Sequence, residues 1–277
     1  MRKIDTYIIE KLKINKDSAV KYNYYPKDRD ELRSLIEQLI KERGKDADLN
    51  DISVSGITDM SGLFYNINIR NIDISEWNVS NVTDMHDMFR YCESFNCDLS
   101  NWNVSSVTNM NHMFPKCAKF NSDLSKWNVS NVKDMDAMFH ECEKFNSDLS
   151  KWDVSKVTDM SNMFSYCNNF NSDLSKWDVS NVKSMNNMFS HCHNFNSDLS
   201  SWDVSNVIYM SCTFYQCSKF NSDLSNWNVS KVKNMVDMFR DCTVFNSDLS
   251  KWDISNVERM TGVLQGCYSL KLKPKWY

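Results

Sequence analysis

The stretch FNSDLSKWDVSKVTDMSNMFSYCNN fills residues 145–169, and the chain at once begins it again as FNSDLSKWDVSNVKSMNNMFSHCHN over 170–194. A near-copy at a fixed spacing is the first sign of a repeat architecture. Outward from this pair, tryptophan recurs every 25 residues, at Trp77, Trp102, Trp127, Trp152, Trp177, Trp202, Trp227 and Trp252. Counting from each Trp, Val or Ile follows at +2, Val at +5 and Met at +8, and Met-Phe usually stands at +11 and +12. Cysteine occupies +15 in every copy: Cys92, Cys117, Cys142, Cys167, Cys192, Cys217, Cys242 and Cys267. Phe-Asn follows at +18 and +19, and Asp-Leu-Ser at +21 to +23, with no insertion anywhere. The terminal copies fade in register. ISVSGITDMSGLF (52–64) puts Ile52 where Trp belongs, and MTGVLQGCYSLKLKPKWY (260–277) replaces Phe by Leu264 and Leu270. Degenerate ends are expected where a stack must be capped.

A unit this short cannot enclose Trp, Val, Met and Phe by itself, but it can when laid on its neighbours. Leu-x-x-Trp-x-Val alternates like a half-buried strand, a second short extended piece carries the +5 Val and +8 Met, and Met-Phe-x-x-Cys is spaced like one turn of helix. The expectation is an α+β repeat: a solenoid of about nine 25-residue turns, roughly 40 Å long at ~4.8 Å per stacked strand. The Trp file would form much of its core. The Cys file would consist of reduced, buried thiols, because side chains stacked in register point the same way and favour packing over bridging. Such thiols imply a reducing, cytoplasm-like compartment. Cys97 and Cys212 lie off the file and are expected to be exposed.

Residues 1–47 do not share the period. IDTYIIEKLKI (4–14) alternates as a strand does. DRDELRSLIEQLIKERG (28–44) reads as an amphipathic helix, opened by Asp28 with Glu31, apolar along Leu32, Leu35, Ile36, Leu39 and Ile40, and stopped by Gly44. The chain thus divides into an N-terminal cap (1–47), a repeat region (48–270) and a C-terminal tail (271–277), the helix covering the first open turn.

Composition excludes more than it suggests. The 277 residues carry a net charge of −4 and a pI near 5.8, which disfavours nucleic acid as a partner. No apolar run reaches membrane-spanning length, and the opening residues have no secretory core or cleavage site. There is no Cys-x-x-Cys pair, no nucleophile–base constellation and no glycine-rich phosphate loop. His86, His112, His140, His191 and His193 fall at different repeat positions. The corner asparagines from Asn96 to Asn246 read as backbone-satisfying amides, and the in-register aspartates lack the dense carboxylate loop that calcium prefers. No enzyme activity, metal or cofactor is expected.

Positions that differ between copies report function better than the constant ones. The greatest variety lies around +13 and +14, where Arg90-Tyr91, Tyr166, Tyr215 and Arg240 bring residue types that dominate interface energetics. The copy from 202 to 226 departs most, with Ile208, Tyr209 and Tyr215 in place of commoner polar residues. These seven residues are the candidate contacts for a protein partner, with self-association of a structural component as the alternative.

The string W-[DN]-V-S-x-V-x-x-M-x-x-M-F-x-x-C-x-x-F-N-x-D-L-S resembles the repeat of the BspA-like leucine-rich-repeat family, common in mycoplasma and other bacterial surface proteins, over residues 48–270. The resemblance implies a right-handed leucine-rich-repeat-like solenoid whose strand is Leu-x-x-Trp-x-Val, and relatives that serve adhesion or host interaction. It carries over no catalytic residue. A surface role would need a signal peptide, lipid-attachment cysteine or wall anchor, none of which is read here.

Overall fold

The computed structural model describes residues 22–277. The strand expected over 4–14 lies outside the described residues. The helix α1 runs Arg29–Arg43. Asp28 caps it by accepting from the Glu31 N–H at 2.9 Å, while the Glu31 carboxylate accepts from the Lys27 N–H. Gly44 ends it at φ 91°, its N–H donating to the Ile40 carbonyl. Leu32, Ile36 and Leu39 are fully buried and join the same apolar cluster as the repeat side chains.

Each copy of the repeat is a chain of tight turns. The Trp N–H donates to the carbonyl of the Leu three residues earlier (Trp102 to Leu99, 3.1 Å), and the +5 Val to the +2 Val (Val107 to Val104, 2.9 Å). Turns also close from +11 to +8 and from +15 to +12. The Leu-x-x-Trp-x-Val segment therefore bends where an extended strand was expected. The Met-Phe-x-x-Cys segment is likewise not a helical turn, because residues +10 and +14 are left-handed: Ala137 has φ 51° and Tyr166 φ 62°. A left-handed residue between right-handed ones swings alternate peptide groups out of the copy's own plane, where they become available to the neighbouring copy.

That is where the copies join. The N–H groups at +8, +10, +12 and +14 donate to the carbonyls at +7, +9, +11 and +13 of the next copy, as in Met135 to Asp159, Ala137 to Ser161, Phe139 to Met163 and Glu141 to Ser165 (2.7–3.1 Å). The same four bonds recur at each junction from Met60 to Gln265. Parallel bridges at +7 link Asp59, Asp84, Asn109, Asp134, Asp159, Ser184, Tyr209, Asn234 and Arg259 in succession.

Side chains repeat the register. Successive Trp rings from Trp77 to Trp127 and from Trp152 to Trp252 lie 6.4–6.5 Å apart and within 3° of parallel. Each indole N–H donates to the Leu carbonyl one copy back, or to Ile74 in the case of Trp102, as Trp177 does to Leu149 at 3.0 Å. Two phenylalanine files run beside them: Phe139 stacks on Phe164 along one, Phe145 on Phe170 along the other, and Phe139 meets Phe145 at 4.0 Å within the copy. Each +15 thiol donates to the +12 carbonyl one copy back (Cys142 to Phe114, 3.1 Å). At the corner the Asn121 N–H donates to the Asn96 amide oxygen and the Asn146 N–H to that of Asn121, both at 2.8 Å.

All ten cysteines are free. Cys97 is buried, contrary to its expected exposure, and Cys212 is half-buried. The reason for Cys97 is its position at +20, where other copies hold buried serines (Ser122 to Ser247) that accept from the preceding copy's Leu N–H. It fills a place in that internal file.

Candidate interaction surface

Each copy sets +13 and +14 side by side, with Tyr65 and Tyr166 exposed, Pro115, Ser165 and Ser190 buried and most of the rest half-buried, and the next copy sets its own pair alongside. The result is a ridge. Tyr65 meets Tyr91 edge-on at 5.7 Å. The Arg90 guanidinium lies 5.0 Å and the Lys116 ammonium 5.6 Å from the Tyr91 ring, a cation–π arrangement. Lys116 and His140 both reach the Glu141 carboxylate, at 3.7 and 2.9 Å. His140 meets Tyr166 edge-on, Tyr166 stacks on His191 at 4.0 Å, and His191 meets Tyr215 at 5.0 Å. Arg240 closes the series over Tyr215 at 5.9 Å.

A hollow of about 270 Å³ opens on this ridge, lined by Arg90, Tyr91, His112, Pro115, Lys116 and His140 among others. Its polar groups are partly committed. Arg90 pairs with Asp87 and donates to the Tyr91 hydroxyl, and His112 pairs with Asp136 at 3.3 Å. Burial pushes the Asp136 carboxyl up, but His112 and Asn162, both bonded to it, outweigh this and hold it below its ordinary value. Burial pushes the His140 imidazole down against the opposing pull of Glu141, and burial likewise lowers His191. The Arg90 Nε and His140 Nδ1 atoms are buried without a hydrogen-bond partner. Buried polar atoms of this kind are few in native proteins, and two of them line one hollow.

Of the residues singled out from sequence, Arg90, Tyr91, Tyr166, Tyr215 and Arg240 lie on this ridge. Ile208 and Tyr209 do not. They sit at +6 and +7, where Tyr209 bridges Ser184 and Asn234 and is 44% exposed while Ile208 is half-buried. Sequence reasoning missed Tyr65, because its copy is degenerate, although it stands 25 residues before Arg90. It also left Lys116, His140 and His191 out of the contact set, since each looks ordinary alone and gains meaning only from the neighbour one copy away.

Among the described residues no group of three His, Cys, Asp or Glu side chains is placed to hold a metal ion, and no helix is long and apolar enough to cross a membrane. The model of one protein family, described as Mycoplasma protein of unknown function, DUF285, matches residues 33–151, 100–198 and 159–276 in overlapping spans. The chain belongs to this family. The overlapping spans are those of a repeat protein and run from within α1 almost to the last residue. No match was found among curated proteins or among solved structures.

Proposed function

We propose that this DUF285 chain is a non-enzymatic scaffold, a leucine-rich-repeat-like solenoid of the BspA type, that binds a protein partner through its corner ridge. The observation that carries the reading is the series Tyr65, Tyr91, Lys116, His140, Tyr166, His191, Tyr215 and Arg240, in which each aromatic ring touches a ring or cation of the next copy and Lys116 is joined to the His140 copy through Glu141. Buried packing does not require it, because the core files lie at other repeat positions. Tyrosine and arginine are the residues that carry interface energy, and rings already held against their neighbours lose little freedom on binding. Buried thiols that donate to carbonyls suit a reducing compartment.

The test is a capture experiment under reducing conditions with three proteins: wild type, a ridge variant (Arg90→Ser, Tyr166→Ser, Tyr215→Ser) and a bridge-side variant (Ile208→Thr, Tyr209→Asn). The expected outcome is a stoichiometric partner kept by wild type and the bridge-side variant and lost by the ridge variant. Loss only in the bridge-side variant moves the site to +6 and +7. Equal retention by all three removes the ridge from consideration.

A further inference from the structure

Along the +7 to +14 row every junction has a direction: the earlier copy gives four N–H groups and the later copy four carbonyls, while a single backbone bond at +6 runs the other way, as from Thr158 to Lys133. The two ends of the repeat region are therefore unlike. The first copy presents the carbonyls of Asp59, Ser61, Leu63 and Tyr65, and the last presents the N–H groups of Met260, Gly262, Leu264 and Gly266.

Three of these four carbonyls are covered. From α1, Arg29 donates to the Ser61 carbonyl and hydroxyl at 3.4 and 3.1 Å. Arg33 donates to the carbonyls of Gly62, Leu63 and Tyr65. Leu32, Ile36 and Leu39 cover the apolar side chains beneath. The N–H edge is open: none of those four N–H groups meets an acceptor among the described residues. The tail does return to this end, with Trp276 stacked on Trp252 at 6.4 Å and its indole N–H on the Leu249 carbonyl, but it covers the Trp side only. Ile254, Val257, Met260 and Leu270 are left half-buried, whereas Val229, Val232, Met235 and Phe245 one copy earlier are at most 1% exposed.

We propose that the N–H edge of the last copy docks the carbonyl edge of a second molecule's first copy, and that α1 is the removable cap that prevents it. A second copy is the occupant because its first rung supplies what the open edge lacks: carbonyls at two-residue spacing over an apolar layer in the same register as every internal junction. Two N–H rows cannot pair with each other, since both are donors. The contact is head-to-tail and propagates without closing. The cap is removable because a 15-residue helix has little stability of its own and its polar hold on the carbonyl row itself is Arg29 and Arg33, Arg43 being bound beside that row to the Asp48 carbonyl and the Asp51 carboxylate. This surface is separate from the corner ridge, so neither proposal depends on the other.

The experiment is sedimentation of the full chain across a concentration series, for wild type, Arg33→Ala, Arg29→Ala with Arg33→Ala, and that double variant carrying Val257→Glu. Melting curves are recorded for each. Wild type is expected at the single-chain mass of 32.5 kDa. The double variant is expected to rise with concentration through multiples of that mass, Arg33→Ala to rise less, and Val257→Glu to restore the single-chain mass. A folded double variant that stays monomeric overturns the proposal, and so do oligomers that survive Val257→Glu. Wild type assembling as readily as the double variant overturns the role of α1. Unfolding of both arginine variants overturns it too, because α1 would then be part of the fold and not a removable cap.

Discussion

A left-handed residue other than glycine costs about 1–2 kcal/mol, and this chain places one at +10 and +14 of nearly every copy. Each is offset by one backbone hydrogen bond to the next copy, worth about 1 kcal/mol net. The two nearly cancel, so the turns fix geometry and the stacked rings supply stability. Both halves of that statement are testable. At Ala137, φ 51° and 3% exposed, glycine removes the steric cost and leaves the bond to Ser161 in place, so Ala137→Gly is expected to stabilise by about 0.5–1 kcal/mol in urea titration. An interior Gly for Ala exchange is ordinarily destabilising, which makes the sign decisive. Conversely, Trp177→Ala removes a ring stacked on both sides and the indole N–H that donates to the Leu149 carbonyl. A loss of about 3–5 kcal/mol is expected, against almost none for the exposed neighbour Lys176→Ala. A silent Trp177→Ala would mean that the Trp file is not the core.

At the scale of the single copy, the polar files are as regular as the apolar ones. The +21 aspartates (Asp98, Asp123, Asp148, Asp173, Asp198, Asp223, Asp248) each accept from the backbone N–H of the Ser two residues on, and that bond holds each carboxyl below its ordinary value. Because folding depresses these groups, the stability they contribute is complete above the unfolded aspartate value of about 3.9 and is lost as pH falls through the folded values. His140 and His191 are depressed too, by burial, so a smaller loss begins as pH falls below about 6.5. Thermal melts should show both steps, and His140→Gln with His191→Gln should abolish the upper one alone. The thiols make a separate prediction. Burial pushes Cys92 and Cys267 up to about 12 and Cys97 to about 11, so all three stay protonated at neutral pH. In the native protein a thiol-specific probe should label half-buried Cys212 and Cys267 first, and the rest only on unfolding.

The period, the copy boundaries and α1 with its caps were legible in sequence because each rests on residue identity at fixed spacing. The conformation within a copy was not. Leu149-x-x-Trp152-x-Val154 alternates as a strand would, but that alternation is equally produced by two successive turns. Nothing in the letters Ala137 or Tyr166 alone announces a left-handed residue, and side-chain type varies freely at +14. But Gly62, Asp87, Asn162, Asn187, Asp237 and Gly262 make +10 rich in the types that favour that region, a signal sequence reasoning missed. The ridge was half legible for the same kind of reason. Tyr91 and Arg240 stand out singly, while the contact between Tyr166 and His191 exists only when positions 25 residues apart are set side by side.

Over the whole molecule, the directed junctions make the two ends unequal in stability as well as in chemistry. In a repeat protein each copy is held mainly by its neighbours, so local opening begins at an end and spreads inward. The first copy has α1 on its outer side, with Arg29 and Arg33 on its carbonyls. Among the described residues the last copy has only the tail, which leaves its N–H row without acceptors and Ile254, Val257, Met260 and Leu270 half-buried. Hydrogen exchange should therefore be asymmetric. Met260, Gly262, Leu264 and Gly266 are expected to exchange fastest among the +8, +10, +12 and +14 amides, and Met160, Asn162, Phe164 and Tyr166 near the middle slowest. Amides of the first copy, such as Met60 and Phe64, which donate to Asp84 and Met88, should lie close to the middle set. Weakening the cap with Arg33→Ala should move that first set toward the values of the last copy and leave the middle unchanged. A profile equal at both ends in wild type would mean that α1 lends the first copy no protection, and a uniform profile along the chain would mean that the copies open together and not from the ends.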